Sequence, residues 1–250
     1  MLAQRYVSSD LTHFVGARLR NDREQYKLLK RILKSRCLKA SPKPRKAHSP
    51  LVRILRIDTE ARLSSNQACG LPAVCFCDIP LCDLPLHMEK YSPFGIALSK
   101  VFLADFGALP ILYVPERGRP ASLPYAGYGQ GRVASQAVCF DEFWKVLNRV
   151  ENSIARLDRQ NDLKSLAKDL RRIITFLQFH LVSNLKFFSH RLADDDPNNF
   201  YMEREWRVCQ DVPFALEDVL RVIIPARYSR QFRRDFPSFD GELVFADWEH

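Results

Sequence analysis

The chain has 250 residues, a formal net charge of +9, 46% hydrophobic and 27% charged residues, a composition that excludes a disordered or low-complexity polypeptide. No apolar run reaches the ~18 residues a membrane helix needs, and Gln4, Arg5 and Asp10 interrupt the start of the chain, so neither a span nor a signal peptide is expected and the expected location is cytoplasmic. The seven cysteines are odd in number and read as reduced thiols, not as a secreted disulfide framework.

Charge is unevenly placed. Residues 1–66 carry 16 Lys and Arg against 5 Asp and Glu, which leaves the remainder slightly acidic. Clustered cations neutralise phosphates and release counterions, so this asymmetry favours a polyanionic partner, most simply nucleic acid.

In chain order, residues 5–16 give a short β-prone run that places Thr12, His13 and Phe14 before a glycine. Asn21 or Asp22 caps a helix in which Tyr26, Leu29 and Leu33 recur on one face and Lys27, Lys30, Arg31 and Lys34 on another, ending near Ser35. From Lys27 to Lys46 there are nine Lys or Arg and no acid, through a proline-rich loop. That run is either a solvated face or a nucleic-acid contact; for the contact, Lys34, Arg36, Lys39, Lys43, Arg45 and Lys46 are the candidate residues. Residues 51–58 fit a strand or a short helix.

Ala73 to Ile79 reads as a buried strand with Cys75 and Cys77 on one face and Val74 and Phe76 on the other. A turn or short helix then carries Cys82, Asp83, His87, Glu89 and Tyr91, and Gly95 precedes an apolar run where a second backbone or a ligand can approach closely. Cys75, Cys77, Cys82 and His87 do not have a common zinc spacing, so no metal is expected. Residues 110–114 form one further strand, and the glycines at 127, 129 and 131 fit no phosphate-loop pattern.

Apolar stripes predict helices from Asp141 to about Leu157 and from about Asp162 onward, joined as an antiparallel hairpin. Strict alternation in YMEREWRVCQ puts Glu203, Glu205 and Arg207 on one side of a strand, read as a solvated ladder, a salt-bridge set or a site. A buried strand ending at Pro225, a basic helical turn and a last strand in ELVFADWEH complete the chain. The expected fold is α+β, a single domain over 1–250 with a small mixed or antiparallel sheet and a helical hairpin inserted at 141–190.

The motifs SSDLTHFVG, CFCDIPL followed by HMEKYSPFGIALSK, and EREWRV resemble the AbiGi family of abortive-infection proteins. The resemblance implies phage defence, an antitoxin role, and a nucleotidyltransferase-like toxin, its gene or its RNA as partner. A more distant likeness, resting on the order of an early His, a middle aromatic and a late Glu-x-Glu, is to ADP-ribosyltransferase-like domains. It implies NAD as cofactor, with His13 on the nicotinamide ribose, Tyr91 stacked on the nicotinamide, Glu205 stabilising an oxocarbenium-like charge and Glu203 assisting the acceptor. The two functional expectations are therefore a partner-binding antitoxin and, alternatively, a transferase.

Overall fold

The computed structural model describes residues 8–40, 56–70, 72–116, 135–196 and 198–247. Lys43, Arg45, Lys46, residues 51–55 and the glycine-rich loop around 127–131 lie outside the described residues. The chain divides into two compact units, one comprising Met1–Lys43, Pro72–Pro110 and Phe200–His250, the other Pro44–Leu71 and Ile111–Asn199.

The first unit is built on a seven-stranded sheet. In chain order its elements are β1 (Asp10–Phe14), α1 (Asp22–Ser35) and β2 (Cys37–Leu38); the second unit then contributes β3 (Arg56–Ile57) and β4 (Cys69–Gly70). The first unit resumes with β5 (Val74–Cys77), α2 (Leu84–Lys90), β6 (Gly95–Ser99), α3 (Lys100–Asp105) and β7 (Leu109–Pro110). The second unit adds β8 (Leu112–Pro115), α4 (Gln136–Leu157), α5 (Lys164–Phe176) and β9 (Leu185–Phe188). The chain ends in the first unit with β10 (Glu205–Val208), β11 (Val212–Pro213), β12 (Val219–Ile224), α6 (Ser229–Asp235) and β13 (Glu242–Phe245).

The sheet order is β13-β12-β6-β1-β5-β10-β7, antiparallel except for the parallel β12–β13 pair, so the fold is α+β. Alternation sorts its side chains cleanly. Leu11, Val74, Phe76, Ile96, Leu98, Val208 and Val222 pack with Tyr26, Leu29 and Leu33 of α1 and with Phe232 of α6 in the main core. On the opposite face Cys77 and Phe14 pack with Leu84 and Met88 of α2. Asn21 caps α1, accepting from the Glu24 amide at 3.1 Å, and Gly16, at a φ of 86°, makes the left-handed turn between β1 and that cap. Gly95 pairs with Phe14 of β1, and a Cβ there would stand 3.3 Å from Ile223 Cδ1 and 3.4 Å from the His13 carbonyl oxygen.

The second unit has its own core, with Trp144, Leu147, Ile154, Ala167, Ile174 and Phe187 at its centre. Helices α4 and α5 run antiparallel: Asp158 pairs with Arg171, and Gln178, in the π-helical turn after α5, donates to Glu151 at 2.9 Å. Two local expectations change. Helix α4 starts at Gln136, not Asp141, because Ser135 is the cap while Asp141 instead accepts from the Ser64 amide and hydroxyl, each at 2.8 Å. The single strand expected over 110–114 is two, β7 pairing with β10 and β8 with β9, because the boundary between the units falls after Pro110. No helix among the described residues is long and apolar enough to cross a membrane.

Candidate functional site

Strand β5 is the hinge of the candidate site. Its Cys77 sits opposite Thr12 of β1 on one side and Glu205 of β10 on the other, so Thr12, Cys77 and Glu205 form one row across three strands. Pairing of β1 with β5 is registered through Thr12 and Cys77, whereas β1 runs in register with β6 over five residues. Where β1 leaves β5, the His13 ring closes the gap: Nδ1 lies 2.8 Å from the Cys75 carbonyl oxygen, to which it donates, so in the neutral ring Nε2 is the acceptor. The His13 ring is also 5.7 Å from that of Phe76.

The carboxylates gather on the α2 side. Glu203 and Glu205 are 4% and 6% exposed, which rules out the solvated ladder considered from alternation alone. Lys90, at the end of α2, places its ammonium 2.7 Å from Glu203 Oε1, and the Tyr91 hydroxyl donates to the same oxygen. The Tyr91 ring stacks on Phe14 at 5.8 Å, with 15° between planes. Burial first, then the charge and hydrogen bond of Glu203, pushes the Tyr91 hydroxyl well above the ordinary phenol value, so it stays a donor. Arg207 donates from Nε to Glu205 Oε1 at 2.6 Å and from Nη2 to Oε2 at 3.4 Å. Burial alone would lower the Arg207 value, but the charge and hydrogen bonds of Glu205 outweigh it and hold the guanidinium charged.

The alternation expected through YMEREWRV holds only from Glu205. Glu203 belongs to a 3-10 turn over Phe200–Glu203, and Arg204 has a left-handed φ of 43°, so the backbone turns before the strand begins. Glu203 therefore reaches Tyr91 from a turn, and Tyr91 is the C-terminal cap of α2, the short helix expected there. The structure brings Tyr91, Glu203 and Glu205 to one side of the sheet; by alternation it directs His13 to the side of Phe76 and α1. Two buried carboxylates, each held by a cation, can stabilise positive charge that develops beside them or can simply fix β10 to α2 and β5.

His13 and His87 are both held below the ordinary histidine value. Burial is the main cause, opposed by the Cys75 carbonyl for His13 and by the Asp83 and Met202 carbonyls for His87. Below about pH 6.5 the unfolded chain then binds more protons than the folded one, so stability falls as pH falls. Thermal melts are expected to give a lower Tm at about pH 5.5 than at about pH 7.5, and His13→Gln with His87→Gln should remove part of that difference; equal slopes would contradict it. Cys75, Cys77 and Cys82 are not in disulfides, and among the described residues no group of three or more His, Cys, Asp or Glu could hold a metal ion.

A separate basic surface lies on the α1 side. Arg23, Lys27, Arg31 and Lys34 occupy one stripe of α1, exposed, and Arg36 follows at its left-handed cap. Lys30 pairs with Asp235 of α6 at 2.6 Å, and Tyr26 donates to the same carboxylate at 2.9 Å, which ties α6 and its arginines beside α1. Those bonds outweigh burial and keep the Asp235 value low. Lys39 is held by Asp211 at 2.8 Å, so its charge is locally matched. Sequence reasoning missed Lys90, as well as Arg230, Arg233 and Arg234 of α6; the i, i+3, i+4 spacing of the last three was the available signal.

The family described as "Putative abortive phage resistance protein AbiGi, antitoxin" matches residues 54–229. The chain belongs to the AbiGi family. The match takes in α2, Tyr91, Glu203, Glu205 and β10, while β1, α1 and β13 stand outside it. Membership in AbiGi places the chain in a phage-defence antitoxin family, and an antitoxin implies a toxin partner. No curated protein and no solved structure matches the chain.

Proposed function

We propose that this antitoxin-family chain acts by holding a polyanionic partner, nucleic acid, on the basic surface of its first unit. The observation that carries this reading is the run of exposed cations Arg23, Lys27, Arg31, Lys34 and Arg36 on α1, continued by Arg230, Arg233 and Arg234 on the helix tied to it through Asp235. A helix whose opposite face is fully used by the core has no structural need for four cations in line. Partly matched charges such as Lys39 add little, whereas uncompensated ones release counterions when they meet phosphates. The acceptor is a nucleic acid carried by, or encoding, the toxin partner.

The reading is tested with Lys27→Gln, Arg31→Gln and Lys34→Gln combined, a change confined to exposed side chains. Affinity for a labelled oligonucleotide at fixed low salt is expected to fall at least about tenfold while the melting curve is unchanged. Unaltered affinity would overturn the reading.

A second reading rests on a different observation. Tyr91, Glu203 and Glu205 converge on one side of the sheet next to the place where β1 and β5 part, and His13 lies at that gap but is directed to the other side. This arrangement supports an ADP-ribosyltransferase-like role using NAD, in which Glu205 meets the developing sugar cation, Tyr91 flanks the nicotinamide, His13 binds the ribose and Glu203 assists the acceptor. Against it, the carboxylates are already engaged by Lys90 and Arg207, and His13 is directed to the opposite side of the sheet. Purified protein incubated with labelled NAD and cell extract decides: turnover or labelling lost in a folded Glu205→Gln variant supports this role, and no NAD consumption by wild type removes it.

A further inference from the structure

An open cavity of about 840 Å³ lies between α6 and the edge strand β13, lined by Ser229, Arg230, Arg233, Arg234, Leu243 and Phe245. Its chemistry is split. Helical spacing turns Arg230, Arg233 and Arg234 to one side of α6, while Phe232 and Asp235 point to the core and to α1. Leu243 and Phe245, two residues apart on β13, face the same side, and Leu243 packs against the α1-side core. Phe245 is 39% exposed and lines the cavity, so its side chain is accessible to a ligand there. Among the described residues no carboxylate pairs with Arg230, Arg233 or Arg234; Arg233 donates to the Phe239 carbonyl at 3.1 Å, which fixes its direction.

We infer that this cavity is a nucleotide subsite for single-stranded nucleic acid: a phosphate is held by Arg230 and Arg234 with Arg233 beside them, and the adjoining base stacks on Phe245. The inference rests on the polyanion-binding reading above and extends it from charge to substrate class. Arginine forks match phosphate oxygens in a way that point charges do not, and an exposed ring flanked by guanidinium groups accepts any base that is not already stacked in a duplex. An acidic protein tail would satisfy the arginines and leave the aromatic wall unused. The subsite is also distinct from the Glu203 and Glu205 cluster: β12, β6, β1 and β5 stand between β13 and β10, a separation of roughly 24 Å at the usual strand spacing.

The test measures fluorescence anisotropy of the full chain with a labelled twelve-nucleotide single strand, as RNA and as DNA, and with the corresponding duplex. Phe245→Ala is expected to weaken single-strand binding about tenfold with no change in salt dependence, because stacking releases no counterions, and to leave duplex binding unchanged. Phe245→Trp should retain affinity. Arg230→Gln with Arg234→Gln should instead lower the slope of log affinity against log salt by about 1.4 for a single strand. Binding of either RNA or DNA in this pattern supports the subsite and names its source. Equal loss on duplex and single strand, no effect of Phe245→Ala, or full competition by polyglutamate would overturn it. If Phe245→Ala is silent while the α1 variant still loses affinity, the subsite fails and the polyanion reading stands; if wild type binds no nucleic acid, both fail.

Discussion

Replacing Arg207 by alanine is expected to destabilise the first unit by about 3 kcal/mol, the lower end of the usual cost of removing one member of a buried ion pair. The carboxylate of Glu205 is 6% exposed and ends the three-strand row beside Cys77, where water cannot replace a guanidinium that reaches it from both Nε and Nη2. The Arg207 side chain keeps 22% of its exposure, which is why the upper end of the range is not expected. Joint replacement by Arg207→Met and Glu205→Gln should recover much of the loss, since the buried charge goes with its partner. The two compact units make a single global transition an unsafe readout, so hydrogen exchange of the β5 and β10 amides is the measurement. Unchanged protection of those amides would contradict the assignment of Arg207 as the partner of Glu205.

In the second unit the largest effect is expected from Trp144→Ala, at about 3–5 kcal/mol. Trp144 is 1% exposed and centres a core shared by α4, α5 and β9, so truncation leaves a large hole between helices held apart by their own backbones. Trp144→Phe should cost far less. The indole N–H has no hydrogen-bond acceptor among the described residues, and removing a buried donor that lacks a partner offsets part of the lost packing. Urea unfolding followed by far-UV dichroism, which is dominated by α4 and α5, distinguishes the two variants; equal losses would contradict this account of the indole.

The parts of this fold legible in the sequence were those governed by local rules. The α1 stripe, its Asn21 cap, the split of Val74 and Phe76 from Cys75 and Cys77, and the end of β12 at Pro225 each follow from periodicity or from one backbone restriction. The division after Pro110 was not legible, because PILYV is continuous in hydrophobicity and its two halves differ only in which distant strand they meet. The same limit applies at the candidate site. Alternation placed Glu205 and Arg207 together correctly, but the left-handed turn at Arg204 moved Glu203 off the strand, and no sequence signal marks an arginine for that conformation. That the carboxylates are buried is a tertiary fact: α2 packs on β5, and its end holds the turn that carries Glu203. Basic charge was visible in the sequence near α1; that α6 joins it through Asp235 required the fold.

The most direct test of the central claim is the salt dependence of nucleic-acid binding by the wild-type chain. Anisotropy titrations of a labelled single strand between about 50 and 200 mM salt should give a steep linear fall of log affinity against log salt, with a slope near −3 or steeper for the cations of α1 and α6. The Lys27, Arg31 and Lys34 triple variant should lose about 2 of that slope. A flat salt dependence, or a triple variant with the wild-type slope, would contradict the claim that the basic face of the first unit is where this antitoxin-family chain meets its partner.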